Sequence, residues 1–102
     1  MNKIITENIT KLKELCKQYK VNSLYVFGSV IKNNFNENSD IDFLISFDKH
    51  ISIEEYTDNY FALQYQLRAI FKREIDLITD KSLSNPYFIE SIEQTKQQLY
   101  GA

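Results

Sequence analysis

Residues 28–42 read GSVIKNNFNENSDID, a Gly-Ser pair followed after ten residues by two aspartates with one residue between them. Side chains alternate between the two faces of a β-strand, so Asp40 and Asp42 point the same way if a strand begins here. Paired carboxylates supply the oxygen ligands that hard cations such as Mg²⁺ prefer in proteins. The pair predicts a metal site, because two like charges this close need a cation.

The Gly-Ser pair ends an apolar run, residues 24–27, that is typical of a buried strand. If a short helix follows, the backbone N–H groups of Ser29 and Val30 have no partner within it and can bind a phosphate. A triphosphate would then lie between this turn, which begins at Gly28, and the metal-binding aspartates.

A third carboxylate comes from a later apolar segment, residues 74–79, which is typical of a strand. Glu74, Asp76 and Ile78 share one face of that strand. Together with the Gly-Ser pair and the two earlier aspartates, Asp76 completes a constellation that indicates metal-assisted phosphoryl or nucleotidyl chemistry.

Hydrophobic spacing predicts short strands separated by helices. Ser52 and Glu55 form a capping box at the start of a middle helix, in which Tyr56 and Tyr60 fall at the spacing of core residues rather than of a ligand site. The predicted elements are a first helix over residues 5–19, strands near 23–27, 41–47 and 74–79, a middle helix from Ser52 to about residue 70, and a last helix from Asn85-Pro86 to Gly101. This order predicts an α/β (α+β) fold, with a small mixed sheet of about three strands and helices packed on one face.

Length and composition predict one domain over residues 1–102, and the formal net charge of −2 provides no basic surface for binding a nucleic acid. The single Cys16 has no partner for an intramolecular disulfide, and it falls in the apolar stripe of the first helix, where a buried thiol is expected. No signal peptide or long apolar span is visible, so we expect a cytoplasmic protein without membrane contact.

The chain resembles the minimal nucleotidyltransferases of the DNA polymerase β superfamily. That family carries Gly-Ser, ten residues, Asp-x-Asp and a later strand aspartate, which here are Gly28, Ser29, Asp40, Asp42 and Asp76. The resemblance covers nearly the whole chain and implies the nucleotidyltransferase fold.

Three positions after the Gly-Ser pair bear on how a nucleotide is held. Val30 stands where arginine is common in the family, so the missing guanidinium would weaken nucleotide binding or be supplied by a partner. Lys32 keeps the basic residue of the family pattern, and Asn33 replaces its glycine. Asparagine tolerates a left-handed backbone, so the turn is expected to survive the replacement.

The resemblance implies a metal-dependent enzyme that moves AMP from ATP to an acceptor hydroxyl. Asp40, Asp42 and Asp76 would hold a pair of Mg²⁺ ions, with Asp76 also available to take the proton, while the Gly-Ser turn and Lys32 would hold the phosphates.

No part of the 102 residues is left over to bind an acceptor, so a partner protein is implied. The family resemblance points to prokaryotic toxin–antitoxin modules, in which the nucleotidyltransferase is the antitoxin and adenylylates a tyrosine of a HEPN-domain toxin. Two alternatives stay open. One is a catalytically weak or inactive antitoxin that acts by direct binding, and the other is a small-molecule nucleotidyltransferase of the aminoglycoside-modifying type.

Overall fold

A computed structural model describes residues 1–32 and 35–101. Helices and strands follow one another along the chain, and two single 3-10 turns cover Gly28–Val30 and Asp80–Ser82. The elements are α1 (Lys3–Thr6), α2 (Ile9–Gln18), β1 (Val21–Phe27), β2 (Ile41–Phe47), α3 (Ile53–Phe71), β3 (Ile75–Thr79), α4 (Pro86–Thr95) and β4 (Gln97–Tyr100). None of the helices in the described part of the chain has the length and hydropathy needed to cross a membrane.

The strands form one mixed sheet in the order β3-β2-β1-β4. β1 pairs antiparallel with both β2 and β4, whereas β2 and β3 run parallel and are connected through α3. In this register Asp42 lies beside Phe27 of β1 and beside Asp76 of β3. The pairing therefore brings the end of β1 together with the starts of β2 and β3.

The main hydrophobic core lies between one face of the sheet and the helices α1, α2 and α3. Alternate residues of β2 are fully buried in it, as the strict alternation in the sequence predicts. These residues are Ile41, Phe43 and Ile45, each 0% exposed. Cys16 of α2 also belongs to this core, and burial raises the pKa of its thiol to about 12. The predicted buried cysteine is confirmed.

The opposite face of the sheet carries a small hydrophobic cluster beneath α4. Leu44 of β2 packs there with Phe27 of β1 and Ile92 of α4. Asp42 and Asp76 lie on this face as well, because each is an odd number of strand positions away from a residue of the main core. The carboxylates therefore avoid the face that the long helices cover.

Two predicted helix starts are confirmed by their caps. The Ser52 hydroxyl accepts a hydrogen bond from the backbone N–H of Glu55 at 3.1 Å. The side chain of Asn85 accepts from the N–H of Tyr87 at 2.9 Å, with Pro86 in the first helical position. Both ends were predictable because a cap depends only on residues within one turn.

The prediction of a last helix running to Gly101 is wrong. α4 ends at Thr95, Lys96 adopts an extended backbone, and Gln97–Tyr100 form the strand β4 against β1. Leu99 fits the helical spacing of α4, but in β4 it is buried against the main core. The unpaired edge of β1 overrides this local preference, since its N–H and C=O groups need partners.

The predicted first helix is interrupted near Asn8. α1 ends at Thr6, and α2 begins at Ile9. The side-chain amide of Asn8 donates a hydrogen bond to the carbonyl of Ile4 at 2.8 Å. Asparagine side chains compete in this way with the helical hydrogen bonds of the backbone, which accounts for the break.

Candidate active site

Two of the three predicted aspartates lie on neighbouring strands, and the third lies just before one of these strands, at the same end of the sheet. Asp42 and Asp76 are register partners on the parallel strands β2 and β3. Asp40 lies just before β2, two residues from Asp42, and both Asp40 and Asp76 are exposed. The sheet thus brings together carboxylates from two distant parts of the sequence.

The negative charges of Asp40 and Asp76 repel that of Asp42. The pKa of the half-buried Asp42 is raised from 3.8 to about 6, chiefly by burial and then by the charges of Asp76 and Asp40. Among residues 1–32 and 35–101, no cation or hydrogen-bond donor pairs with the carboxylate of Asp40, Asp42 or Asp76. The charge at this end of the sheet is left without compensation by the described side chains.

The donor set fits a hard divalent cation, because all three side chains offer carboxylate oxygens. As they stand in the described part of the chain, no group of three or more acidic, His or Cys side chains is tight enough to hold a metal ion. A bound cation would offset the repulsion among these carboxylates.

Gly28 lies directly against the side chain of Asp42. Its φ of +76° is one that residues with a Cβ rarely adopt. A Cβ built on Gly28 would overlap the carboxylate of Asp42, whose Cγ lies only 3.3 Å from that position. A glycine is needed here both for the backbone turn and for the space that the carboxylate occupies.

The short helix expected after Gly28 is a single 3-10 turn, closed by a 3.0 Å bond from the Ile31 N–H to the Gly28 carbonyl. A turn of this length carries little macrodipole, so phosphate binding here would depend on individual N–H and hydroxyl groups. The Ser29 hydroxyl donates to the backbone carbonyl of Asp40 at 3.3 Å, which links the Gly-Ser turn to the first aspartate. Lys32 follows the turn and is exposed.

Two positions, Val30 and Asn33, depart from the family pattern, and the structure describes the first of them. Val30 is 3% exposed and packs in the main core, so this position contributes to folding rather than to a surface that meets a nucleotide. The predicted left-handed turn at Asn33 lies outside the described residues.

The comparison with known protein families covers both the Gly-Ser turn and the strand aspartates. The family of nucleotidyltransferase domains matches residues 9–99, which is most of the sequence. The chain belongs to the nucleotidyltransferase domain family. The predicted family and the predicted enzyme class, a nucleotidyltransferase, are confirmed.

Archaeal proteins are among the relatives of this nucleotidyltransferase. Two proteins of Methanocaldococcus jannaschii, both named as candidate protein adenylyltransferases, are each 40% identical to it. One alignment spans 80% of both chains, and the other spans 88% of this chain and 89% of the relative. A protein adenylyltransferase named MntA, from Thermococcus cleftensis, is 30% identical over 72% of this chain and 70% of its own.

Solved structures share the fold. A chain of a toxin–antitoxin crystal structure with AMP-PNP aligns with a TM-score of 0.72 and 23% identity, over 93% of this chain and 74% of that one. A chain from a complex of a tri-AMPylated Shewanella oneidensis HEPN toxin with its MNT antitoxin gives 0.66 and 21%, over 95% and 72%. A candidate minimal nucleotidyltransferase gives 0.68 and 20%, over 95% of both chains. The predicted fold is confirmed.

Arg73, in the short connection between α3 and β3, binds the segment that leads into Asp40, and the sequence pattern does not predict this contact. Its guanidinium donates hydrogen bonds to the carbonyls of Ser39 at 2.9 Å and Asn36 at 3.1 Å, and lies 4.7 Å from the centre of the Phe35 ring. These contacts fasten the segment that leads into Asp40. No local signal predicts them, because the two carbonyls belong to residues 34 and 37 positions earlier in the chain.

We expect Arg73→Met to destabilise the protein by about 2 kcal/mol, because two hydrogen bonds to a charged donor are lost along with the contact to the ring. Mg²⁺ affinity should also fall several-fold, since Asp40 is no longer held in place. Urea unfolding and Mg²⁺ titration measure the two effects. The control is Arg68→Met, which removes only an exposed ion pair to Glu74, 3.4 Å long, and should change stability by less than about 1 kcal/mol. Equal effects in both variants would contradict this role.

One cavity of the described part of the chain lies away from the aspartates of the candidate site. It has a volume of about 1060 Å³ and lies beside Val21 at the start of β1, whereas Gly28 follows the end of that strand. A smaller cavity of about 400 Å³, between α3 and β3, includes Asp76 in its lining. Proximity to the carboxylates therefore favours the smaller cavity as part of the candidate site.

Proposed function

We propose that this nucleotidyltransferase transfers AMP from ATP to a tyrosine hydroxyl of a HEPN-domain toxin, and acts as its antitoxin in the cytoplasm. The observation that carries the proposal is the fit between Gly28 and the Asp42 carboxylate, which joins the Gly-Ser turn to the strand aspartates. The names of the archaeal relatives and the toxin–antitoxin structures that share the fold support the same activity.

On the metal side, Asp40, Asp42 and Asp76 would hold Mg²⁺, with two ions expected for this chemistry. When bound, the metal would neutralise phosphate charge and make the acceptor hydroxyl easier to deprotonate. The half-buried Asp42 is suited to the central position, because it neighbours both Asp76 across the strands and the turn at Gly28.

On the donor side, the backbone at Gly28, the Ser29 hydroxyl and Lys32 would hold the β- and γ-phosphates. Ser29 would exchange its 3.3 Å bond to the Asp40 carbonyl for one to a phosphate oxygen. The exposed Lys32 would add a positive charge that the phosphates need.

On the acceptor side, Asp76 would take the proton from the attacking hydroxyl. The acceptor oxygen bonds to the α-phosphorus, the bond from that phosphorus to the bridging oxygen breaks, and pyrophosphate leaves. Asp76 is exposed at the edge strand β3, so an acceptor can approach it from outside the sheet.

The decisive experiment incubates the protein with Mg²⁺, ATP labelled at the α-phosphate and the HEPN-domain protein that co-purifies with it from the native host. The label should appear on a tyrosine of that partner, located by mass spectrometry, whereas ATP labelled at the γ-phosphate should leave no label. Neutralisation of the partner without any label would contradict the proposal and favour an antitoxin that acts by direct binding.

A further inference from the structure

We propose that the groove between α3 and the free edge of β3 is the acceptor subsite, and that it receives a tyrosine side chain on a segment of the partner protein. The proposal rests on the proposed function, because it assigns the acceptor side of that reaction to a specific surface. The groove has a volume of about 400 Å³, within the range of sites that enclose small ligands or a few side chains.

The order of the strands separates a donor side from an acceptor side. The Gly28 turn closes β1, Asp42 lies on the neighbouring β2, and Asp76 lies on β3 at the edge of the sheet. In an in-line displacement the attacking oxygen and the leaving phosphate lie on opposite sides of the phosphorus. With the leaving phosphates at the Gly28 turn, the attacking oxygen comes from the β3 edge, where the groove opens.

The walls of the groove are aromatic and already fixed in place. The Tyr60 hydroxyl donates a 2.7 Å hydrogen bond to the carbonyl of Leu77, and its ring meets that of Phe61 edge-on, with centres 5.3 Å apart. The predicted core role of Tyr60 is compatible with this, because Tyr60 is partly buried against the main core and also lines the groove.

Phe61 provides an unoccupied surface for a second ring. It is 62% exposed although it is large and apolar, and Tyr65, one helical turn further along α3, is 73% exposed. Aromatic rings attract each other in edge-on or offset arrangements, so a phenol ring is a favourable occupant beside Phe61. Tyr65 extends the same surface, which allows contact with residues on either side of the acceptor tyrosine.

The charge of the groove disfavours the alternative occupant, the nucleotide. No basic side chain is found among the described residues that line it, so the groove offers no cation of its own to a phosphate, whereas its aromatic side chains suit a neutral phenol. Asp76, the carboxylate that takes the proton in the proposed reaction, lines the same groove as Phe61.

The test compares Phe61→Ser with Tyr87→Ser, which removes an aromatic ring of similar exposure, 83%, from α4 on another part of the surface. Thermal unfolding first shows that both variants fold. The rate of AMP transfer is then measured in two series, one with the concentration of the HEPN-domain partner varied and one with the concentration of ATP varied. Phe61→Ser should raise KM for the partner by at least about tenfold, as loss of an aromatic anchor does at interfaces. KM for ATP should stay within about twofold of the wild type, and Tyr87→Ser should change neither value.

Other results overturn the proposal. A rise in KM for ATP instead would assign the groove to the nucleotide, and equal effects of the two variants would remove any special role of Phe61. If the wild-type protein transfers no AMP at all, the proposed function has failed, and the groove is then judged by the Kd for the HEPN partner without nucleotide. A roughly tenfold weaker Kd in Phe61→Ser would support the groove as the partner's site. An unchanged Kd would exclude it.

Discussion

Asp42→Asn is expected to lower the rate of AMP transfer by about a thousandfold or more, because metal stabilisation of phosphate charge contributes several kcal/mol and each 1.36 kcal/mol changes the rate about tenfold. The substitution keeps the size of the side chain but removes the charge nearest to both Asp76 and the Gly28 turn. Initial rates with α-labelled ATP measure the loss. The matched control is Asp58→Asn, an exposed acid on α3, which should retain the wild-type rate. A wild-type rate in Asp42→Asn would remove Asp42 from the site.

The same substitution should stabilise the metal-free protein at neutral pH. In the folded state the pKa of Asp42 is about 6, above its ordinary value of 3.8, so the folded state binds a proton more tightly than the unfolded chain does. The free energy of unfolding therefore falls as pH rises from about 4 to 6, and the loss is complete above pH 6. Allowing for solvent screening of this half-exposed group, Asp42→Asn should add about 1 kcal/mol at pH 7.5 and little at pH 4.

Denaturant unfolding at the two pH values, with and without Mg²⁺, measures this effect. Mg²⁺ should stabilise the wild-type protein at pH 7.5, because it binds the folded state and relieves the repulsion among the carboxylates. Asp42→Asn should respond much less to Mg²⁺. An equal gain from Mg²⁺ in both proteins would show that the cation binds elsewhere.

The parts of the fold that the sequence predicts are those decided by neighbouring residues. The strict alternation of β2 defines its bounds, Ile41–Phe47, as the structure has them. The caps at Ser52 and Asn85 likewise depend on contacts within one helical turn. Such features are accessible without knowledge of the tertiary structure, because the physical cause and its effect lie close together in the chain.

The features that the sequence does not predict depend on distant partners. Leu99 suits a helix or a strand equally, and only the free edge of β1 decides that it enters β4. The contacts of Arg73 cannot be predicted from the sequence either, since its hydrogen-bond acceptors are backbone carbonyls of a remote segment. A spacing pattern carries no information about either contact, so they emerge only once the sheet is assembled.

The candidate site combines both kinds of feature. The Gly-Ser and Asp-x-Asp spacing predicts that the turn and the aspartates lie near each other, and the antiparallel pairing of Phe27 with Asp42 supplies the physical reason. The sequence does not indicate that the Asp42 carboxylate occupies the place of a Cβ at Gly28. This contact makes the glycine part of the proposed metal site as well as of the turn.

Gly28→Ala should therefore affect both stability and activity. An alanine at a φ of +76° costs about 1–2 kcal/mol in backbone strain. Its Cβ would also displace the Asp42 carboxylate, and a shift of about 1 Å in a catalytic group can lower a rate about a hundredfold. Unfolding in urea and initial rates of AMP transfer measure the two effects separately.

Gly101→Ala is the matched control for this prediction. Gly101 also has a positive φ, +111°, and a Cβ there would meet the Asn22 carbonyl oxygen at 2.7 Å, yet it follows β4 and lies far from the aspartates. Both variants should lose stability, but Gly28→Ala alone should lose AMP transfer and Mg²⁺ affinity. If the two variants lost activity only in proportion to their stability, Gly28 would serve the backbone turn and not the position of Asp42. A selective loss in Gly28→Ala would tie the conformation of the Gly-Ser turn directly to the carboxylate that it surrounds.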